Sequence, residues 1–368
     1  MKLAPTTVVV LLAVGCGQKN SMQASYYTEH SVSLRWIPQD SGTSVSLRGV
    51  CACNGHIAWA SGAEGTCLRT IDGGETWQTI HVPGAAAMDF RDIHAADAET
   101  AWLLGAGEES KIYFTADHGR HWVEQYVCTT PGAFFDAIAF WDAKRGIAFS
   151  DPVAGRLMII TTSDGGDTWN EIDPQGVPPA LPGEHGFAAS GTCLIVRGRD
   201  EAWIGLGGPA ARVFRSIDAG RTWSVAATPM LRGNESSGVF SLAFTDARHG
   251  IAVGGDYQNP DASARNAAVS SDGGVTWTLV DGAVPNGYRS AVAYIPSGGT
   301  PMLVAVGLSG SDYSVDGGRN WRQMGTAGYH SVSFAADGAG WAVGADGRIA
   351  KFSRRRRERL TCASGIFP

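Results

Sequence analysis

The stretch TIDGGETW, at residues 70–77, is the first of six copies of one short pattern, and these copies decide the fold. Each copy reads Ser/Thr-x-Asp-x-Gly-x-x-Trp, and the copies recur at intervals of 44 to 54 residues. A period in this range indicates a repeat architecture. The six aspartates of the pattern are Asp72, Asp117, Asp164, Asp218, Asp272 and Asp316.

Each copy predicts a tight turn between two β-strands. The Asp carboxylate can accept hydrogen bonds from backbone N–H groups just ahead of it, and the glycines tolerate positive φ. The closing Trp provides a large apolar surface for packing. The alternative is that the six aspartates bind metal or sugar, but a residue that recurs once per repeat at a turn favours a structural role.

A second pattern, Ala-Trp-x-x-Gly, precedes the turns and predicts strands. Alternation with period two and glycine-rich turns argues for antiparallel strands, and no convincing amphipathic helix is present. The pattern occurs once more often than the Asp turn. Its clear copies lie at residues 58–62, 101–105, 202–205 and 341–344, and weaker copies lie at 146–149, 250–254 and 303–307.

The last repeat, residues 329–352, ends before an Asp turn, and residues 33–38 resemble the strand that is missing. The N-terminal strand should therefore complete the last blade and close a ring, which removes exposed sheet edges. The predicted fold is all-β, a single seven-bladed β-propeller over residues 31–353.

The chain ends predict export. Residues 1–16 combine one lysine, a short apolar run and a small residue before Cys16, which is typical of a lipoprotein signal peptide with Cys16 as the lipid-bearing residue. An ordinary secretory signal is the alternative. Residues 17–30 are expected to form a linker, and residues 354–368 a basic C-terminal tail. The expected location is the periplasm or the membrane surface of a bacterial envelope.

Charge and cysteine content limit the function further. A net charge of −6 gives no indication of nucleic-acid binding. Cys51 and Cys53 share one face of a strand and could form a metal or redox pair, yet no His or Cys partner has metal-ligand spacing. We therefore expect no metal and no cofactor. In an exported chain six cysteines permit fifteen disulfide pairings, which leaves open the pairing of Cys51, Cys53, Cys67, Cys128, Cys193 and Cys362.

Equivalent first-strand positions predict a ligand site at one mouth of the channel. Counting residues back from the Trp position in the second strand of each blade gives the equivalent position in its first strand. These positions include Arg48, Arg91 and His330, with Arg289 after allowing for an insertion, and the four residues would form a cationic crescent on consecutive blades. Arginine clusters suit carboxylate or phosphate, although each arginine could instead pair with a nearby acid such as Asp92 or Asp136. The same counting aligns Asp136, Thr192 and Phe240 in the other blades.

Loops at the same end add candidate residues. Asp256 and Tyr257 could join the crescent in binding a ligand. Asp151, Glu184 and Asp256 are the carboxylates that a glycosidase could use as acid and base or nucleophile.

The Asp turns resemble those of the Asp-box (bacterial neuraminidase repeat) superfamily over nearly the whole mature chain. Stretches such as GAGWAVG (338–344), PALPGE (179–184) and YRSAV (288–292) are similar to bacterial relatives of the photosystem II stability and assembly factor family. That resemblance implies a non-enzymatic assembly protein with an arginine patch. The sialidase motif Phe/Tyr-Arg-Ile-Pro is only partly matched at residues 90–93, and Asp-box xyloglucanases have two propellers.

The sequence therefore predicts a monomeric, lipid-anchored propeller that binds an envelope protein complex or an anionic small ligand without turnover. A glycoside hydrolase is the alternative, and a scaffold with an inert channel is a third possibility. Fold alone does not decide between them.

Overall fold

The computed structural model describes residues 26–106, 109–296 and 301–362 of the chain. In this part of the chain there are β-strands and one short 3-10 turn, Pro174–Gly176, but no α-helix. No helix of the described residues is long and apolar enough to cross a membrane. The all-β class predicted from the sequence is confirmed.

The strands, numbered β1 to β28 in chain order, form antiparallel sets of four, each of which is one blade. The first blade consists of β2 (Leu47–Ala52), β3 (Ala58–Gly62), β4 (Thr66–Thr70) and β5 (Gln78–His81). The second consists of β6 (Asp89–Ala95), β7 (Ala101–Ala106), β8 (Ser110–Thr115) and β9 (Val123–Cys128). The third consists of β10 (Phe135–Phe140), β11 (Gly146–Val153), β12 (Arg156–Thr162) and β13 (Asn170–Glu171).

The fourth and fifth blades are joined into one eight-stranded sheet, because β15 also pairs with β18 through Gly207 and Gly238. The fourth consists of β14 (Leu194–Arg197), β15 (Glu201–Gly208), β16 (Arg212–Ser216) and β17 (Ser224–Ala227). The fifth consists of β18 (Asn234–Phe244), β19 (Gly250–Asp256), β20 (Ala267–Ser270) and β21 (Thr278–Leu279). The sixth consists of β22 (Ala291–Ile295), β23 (Met302–Gly307), β24 (Gly310–Ser314) and β25 (Trp321–Gly325).

The last blade combines both ends of the chain. It contains β26 (Ser331–Phe334), β27 (Gly340–Val343), β28 (Ile349–Cys362) and, outermost, the N-terminal strand β1 (Tyr26–Gln39). The first strands of successive blades contact one another in a closed cycle: β2, β6, β10, β14, β18, β22, β26 and β2 again. This is the ring of a β-propeller, closed by the N-terminal strand as the sequence predicts.

The chain divides into two compact units, residues 36–351 and residues 1–35 with 352–368. The first unit holds the ring, and the described part of the second contains the far ends of β1 and β28. Strand structure here extends beyond two predicted boundaries: residues 26–30 of the predicted linker lie in β1, and residues 354–362 of the predicted basic tail lie in β28. The arginine run at 354–357 is strand because β28 pairs with β1. Cys16 and the predicted signal peptide lie outside the described residues.

The hydrophobic core lies between neighbouring blades, and the tryptophans of the Ala-Trp pattern are at its centre. Trp102 in β7 stacks on Phe140 of the next blade with ring centroids 4.1 Å apart, and Trp203 stacks on Phe244 at the same distance. Both indoles are almost completely buried. Burial of about 200 Å² of side chain contributes up to about 5 kcal/mol of hydrophobic stabilisation, so this repeated position holds each blade against the next.

The repeated aspartates are engaged in their own turns. In the first copy, Asp72 accepts hydrogen bonds from the Thr70 hydroxyl (2.8 Å) and from the backbone and hydroxyl of Thr76 (3.0 and 2.6 Å). The same network recurs around the other five aspartates, with His121 and Asn320 replacing the threonine in two of them. Hydrogen bonds from the threonine lower the pKa of Asp164 to about 2. These carboxylates therefore stabilise their own hairpin turns.

Candidate binding site at the channel mouth

A cavity of about 310 Å³ opens where the first strands of several blades converge. Four of the six residues predicted to bind a ligand line it: Arg48, Arg91, Tyr257 and His330. The structure therefore brings together residues that are up to 282 positions apart in the chain (330 − 48). The remaining lining residues are Phe187, Ala188, Ala189, Phe240, Tyr288, Ser290 and Leu308.

One wall of the cavity is cationic. Arg91 forms an ion pair with Asp89 (Nη2–Oδ2 2.8 Å), and Arg48 lies more loosely against the same carboxylate (Nε–Oδ1 3.9 Å). Burial and the neighbouring Arg91 lower the pKa of Arg48, and Asp89 partly offsets them. One carboxylate thus faces two guanidinium groups. The Nε atoms of both arginines are buried and have no hydrogen-bond partner among the described residues, while each side chain remains about a quarter exposed and could donate to an anionic ligand from its accessible part.

His330 completes this wall as a neutral imidazole. Its Nδ1 lies 2.9 Å from the carbonyl oxygen of Leu47, so Nδ1 carries the proton and Nε2 is an acceptor. The pKa of His330 is lowered, mainly by burial and also by the positive charges of Arg48, Arg348 and Arg91, although the Leu47 carbonyl acts in the opposite direction.

The opposite wall is aromatic. Phe187 and Phe240 stack with centroids 3.6 Å apart and an interplanar angle of 15°. Tyr288 meets Phe240 edge-on at 4.7 Å, and Tyr257 does so at 6.2 Å. Tyr257 remains substantially exposed. The cavity can therefore offer guanidinium donors to one part of a ligand and aromatic surface to an adjacent apolar part.

The channel segment, residues 184–192, crosses the ring and supplies Phe187, Ala188 and Ala189 to the cavity. Arg91 Nη1 donates to the Ala188 carbonyl at 3.3 Å, and the Ser190 hydroxyl donates to the Ser290 carbonyl at 2.9 Å. The Ser331 hydroxyl in turn donates to the Ser190 carbonyl at 2.9 Å. These contacts with three separate blades hold the segment in place across the ring.

Small residues allow the channel segment to fit. Gly191 has φ +77°, and a Cβ there would lie 2.0 Å from the Asp92 carboxylate, so no larger residue is accommodated. Glu184, at the start of the segment, is a residue that the sequence predicts for the site, whereas neither Phe187 nor the path of the segment is predicted. The only available signal was the run of small residues at 188–191.

Arg289 does not belong to this site, which corrects the predicted crescent. Its side chain is fully buried and pairs with Asp312 (Nε–Oδ2 2.7 Å). It also donates to the carbonyls of Tyr288 (2.7 Å) and Asn286 (2.6 Å). The alternative considered for the arginines, pairing with a nearby acid, holds at this position.

The three candidate catalytic carboxylates do not converge. None of them is among the residues that line the cavity in the described chain. Glu184 is buried in an ion pair with Arg212, whose Nε lies 2.7 Å from its Oε1. Asp256 accepts hydrogen bonds from Asn259 (2.7 Å) and the Gln258 backbone (2.9 Å). Burial would raise the pKa of Asp256, but hydrogen bonds from Ser236, Asn259 and other donors outweigh it and keep the pKa low.

Asp151 is half-buried and interacts electrostatically with the buried Asp136. The pKa of Asp136 is raised well above its usual range by burial and by Asp151, and burial also raises the pKa of Asp151. Asp151 accepts a hydrogen bond from the Gly186 backbone at 2.7 Å, which ties the pair to the channel segment.

The described residues contain no group of three or more His, Cys, Asp or Glu side chains that could hold a metal ion.

No family model matches the sequence, and no curated protein sequence matches it. Solved structures do match the fold. A structure of YCF48 bound to a D1 peptide aligns over 87% of this chain and 96% of its own, with a TM-score of 0.61 and 16% identity. The chain shares its fold with YCF48.

YCF48 from Cyanidioschyzon merolae is similar at 17% identity, a TM-score of 0.61, and 86% and 98% coverage of the two chains. The GH74 xyloglucanase from Xanthomonas campestris has the same TM-score at 15% identity, but this chain spans only 53% of that enzyme. The predicted resemblance to the photosystem II assembly factor propellers is therefore confirmed at the level of fold. Similarity at these identities shows no more than the fold.

Proposed function

We propose that the protein binds an anionic segment of a protein partner in the channel-mouth cavity, without chemical turnover. The observation that carries this proposal is the pairing of two incompletely neutralised guanidinium groups, Arg48 and Arg91, with an aromatic wall in one cavity. A carboxylate on the ligand would accept hydrogen bonds from the accessible part of these guanidinium groups, and an adjacent apolar side chain would contact Phe240 and Tyr257. Charge-assisted hydrogen bonds of this kind are short and directional.

The peptide complex of YCF48 supports a peptide as the kind of ligand, because that propeller is seen with a D1 peptide bound. The lipoprotein-type signal at residues 1–16 further suggests that the partner belongs to an envelope complex, to which a lipid on Cys16 would bring the protein close. The proposed role is that of an assembly or stability factor. We propose that it acts as a monomer.

The test is capture of partners from solubilised envelope by the wild-type protein and by R48E/R91E. R319E/R322E is the matched control, because it makes the same charge change at two exposed arginines outside the cavity lining. We expect a partner to be retained by the wild type and the control but lost by R48E/R91E. A peptide from that partner should then bind at least about 100-fold more weakly to R48E/R91E, since two charge-assisted hydrogen bonds contribute about 3–6 kcal/mol.

Equal retention by all three proteins, with the fold of each verified by circular dichroism, would locate binding on another face and refute the proposal. Hydrolysis of any substrate in a panel of glycosides, abolished by D151N, would favour the glycosidase alternative instead.

A further inference from the structure

Two cysteines at the end of β2 form a thiol pair outside the cavity. Cys51 lies near the end of the strand and Cys53 just beyond it, so their side chains share one face. Both sulfurs approach the carbonyl oxygen of Ala95 in the neighbouring blade, at 3.5 and 3.8 Å. The two thiols are free, and each shifts the pKa of the other. The structure thus places two reactive groups side by side on a fixed strand end.

The surroundings distinguish the two sulfurs. The Ala95 N–H donates to Cys51 Sγ at 3.3 Å, a contact that stabilises a thiolate. The hydrogen bond from Cys53 and the Ala95 backbone lower the pKa of Cys51, and burial opposes them. Cys53 Sγ faces a second carbonyl, that of Asp97, at 3.7 Å, and carbonyl oxygens favour the protonated thiol. The pKa of Cys53 is raised by the hydrogen bond to Cys51 and by burial.

The other cysteines whose side chains the structure describes have a different environment. Cys67, Cys128 and Cys193 are buried among core side chains, whereas Cys51 and Cys53 are partly exposed. Burial raises the pKa of Cys67. Thiol reactivity requires both thiolate character and access, so the pair should react and the three buried thiols should not.

We propose that Cys51 and Cys53 form a redox-active dithiol that exchanges with an external disulfide, an activity separate from binding in the cavity. Cys51 Sγ attacks one sulfur of the external disulfide, forms a mixed disulfide and releases the other sulfur as a thiolate, which takes the Cys51 proton. Cys53 Sγ then attacks Cys51 Sγ, forms the Cys51–Cys53 disulfide and releases the second thiolate, which takes the Cys53 proton. One external disulfide is thereby reduced to two thiols while the protein dithiol is oxidised.

The spacing of the pair makes the product labile. Residues i and i+2 of an extended strand are about 6.6 Å apart, near the upper end of the Cα separation that a disulfide spans. Strained and exposed disulfides are readily reduced, which is typical of regulatory or catalytic pairs rather than structural ones. The pair therefore suits reversible exchange.

The test uses the purified full-length protein and oxidised glutathione, followed by rapid alkylation and peptide mapping. Cleavage after Arg48 and Glu64 yields a peptide of residues 49–64 that contains Cys51 and Cys53 but no other cysteine. We expect this peptide to escape alkylation and to be two hydrogen atoms lighter than the unmodified peptide, and to be alkylated at both cysteines again after treatment with excess reduced glutathione. C53S should accumulate a glutathione adduct on Cys51, whereas C51S should form its adduct about three- to fourfold more slowly for each pKa unit that separates the two thiols in the variants, because a smaller thiolate fraction is partly offset by greater nucleophilicity. C67S, altered at a buried thiol, should behave as wild type.

The wild-type map keeps the proposal falsifiable even if a serine variant fails to fold. A 49–64 peptide that remains reduced in the folded protein, under conditions that oxidise the urea-unfolded chain, would overturn the proposal. Equal adduct rates for folded C51S and C53S would overturn the assignment of Cys51 as the attacking thiol.

Discussion

Replacing Arg289 by methionine should destabilise the protein without weakening ligand binding. The guanidinium is fully buried, and its strongest contacts are to Asp312, itself 1% exposed. Asp312 also accepts a hydrogen bond from the Asn286 backbone at 3.1 Å. Removing the arginine would leave Asp312 as a buried carboxylate without its counter-charge, and two backbone carbonyls would lose a donor.

The magnitude follows from this burial. Removing one partner of a buried ion pair lowers the free energy of unfolding by about 3–5 kcal/mol, because the remaining charge is neither solvated nor compensated. For a cooperative unit of about 300 residues this corresponds to a fall in Tm of about 5–8 °C. The double variant R289M/D312L removes both charges and should be more stable than R289M alone, since no unpaired carboxylate remains.

Urea denaturation followed by tryptophan fluorescence would measure the change in unfolding free energy, with R322M as the control for loss of an exposed arginine. Affinity for a partner peptide would be measured on the same preparations. An R289M protein with wild-type stability and lost affinity would refute the reasoning and restore Arg289 to the binding site.

Three further predictions test other parts of the structure. Burial raises the pKa of Asp92 to about 7, so the folded state binds more protons than the unfolded chain between pH 4 and 7 and loses stability as pH rises through that window. D92N should reduce the pH dependence of the unfolding free energy by at most about 1.4 kcal/mol per pH unit. If urea denaturations at pH 5 and 8 give the same difference in unfolding free energy for D92N as for the wild type, the raised pKa of Asp92 is contradicted. W203F should lower the free energy of unfolding by about 1–2 kcal/mol more than W169F does. The Trp203 indole N–H donates a buried hydrogen bond of 2.8 Å, whereas the Trp169 indole N–H has no partner among the described residues, and equal Tm values for the two variants would argue against this reason. Y257A should weaken peptide binding about tenfold with unchanged Tm, since its exposed ring contributes contact area but little packing, and unchanged affinity in a titration would remove the aromatic wall from the binding surface.

Much of the fold could be predicted because its signals are local and repeated. Each Asp turn contains its own hydrogen-bond network, as Asp72 does with Thr70 and Thr76, so eight residues suffice to identify it. The closure of the ring also followed from the repeats, since the last blade lacked a strand that the N-terminus resembled. The extent of β1 and β28 could not be predicted, because nothing repeats beyond the blades.

The site was only partly predictable, and Arg289 shows why. Side chains alternate across a strand, so a one-residue error in register reverses the face on which a residue lies. Tyr288 and Ser290 line the cavity, while Arg289 between them points to Asp312. The count back from the next strand to Arg289 had to allow for an insertion between the two strands, which made its register ambiguous, whereas the regular spacing after Arg48 and Arg91 put both at the cavity.

The channel segment lies outside the repeat, and this explains why the three residues that it adds to the cavity, Phe187, Ala188 and Ala189, could not be predicted. Phe187 reaches Phe240 only because residues 184–192 cross the ring to the Ser290 carbonyl and the Ser331 hydroxyl. Such a path is fixed by contacts between residues far apart in the chain, as between Ser190 and Ser290, and no local pattern encodes it. In a repeat fold the conserved geometry of the blades can thus be deduced from any one copy, while ligand selectivity depends on the segment that has no counterpart in the other blades. Substitutions in the channel segment should therefore alter which ligand is bound without altering the ring that holds it.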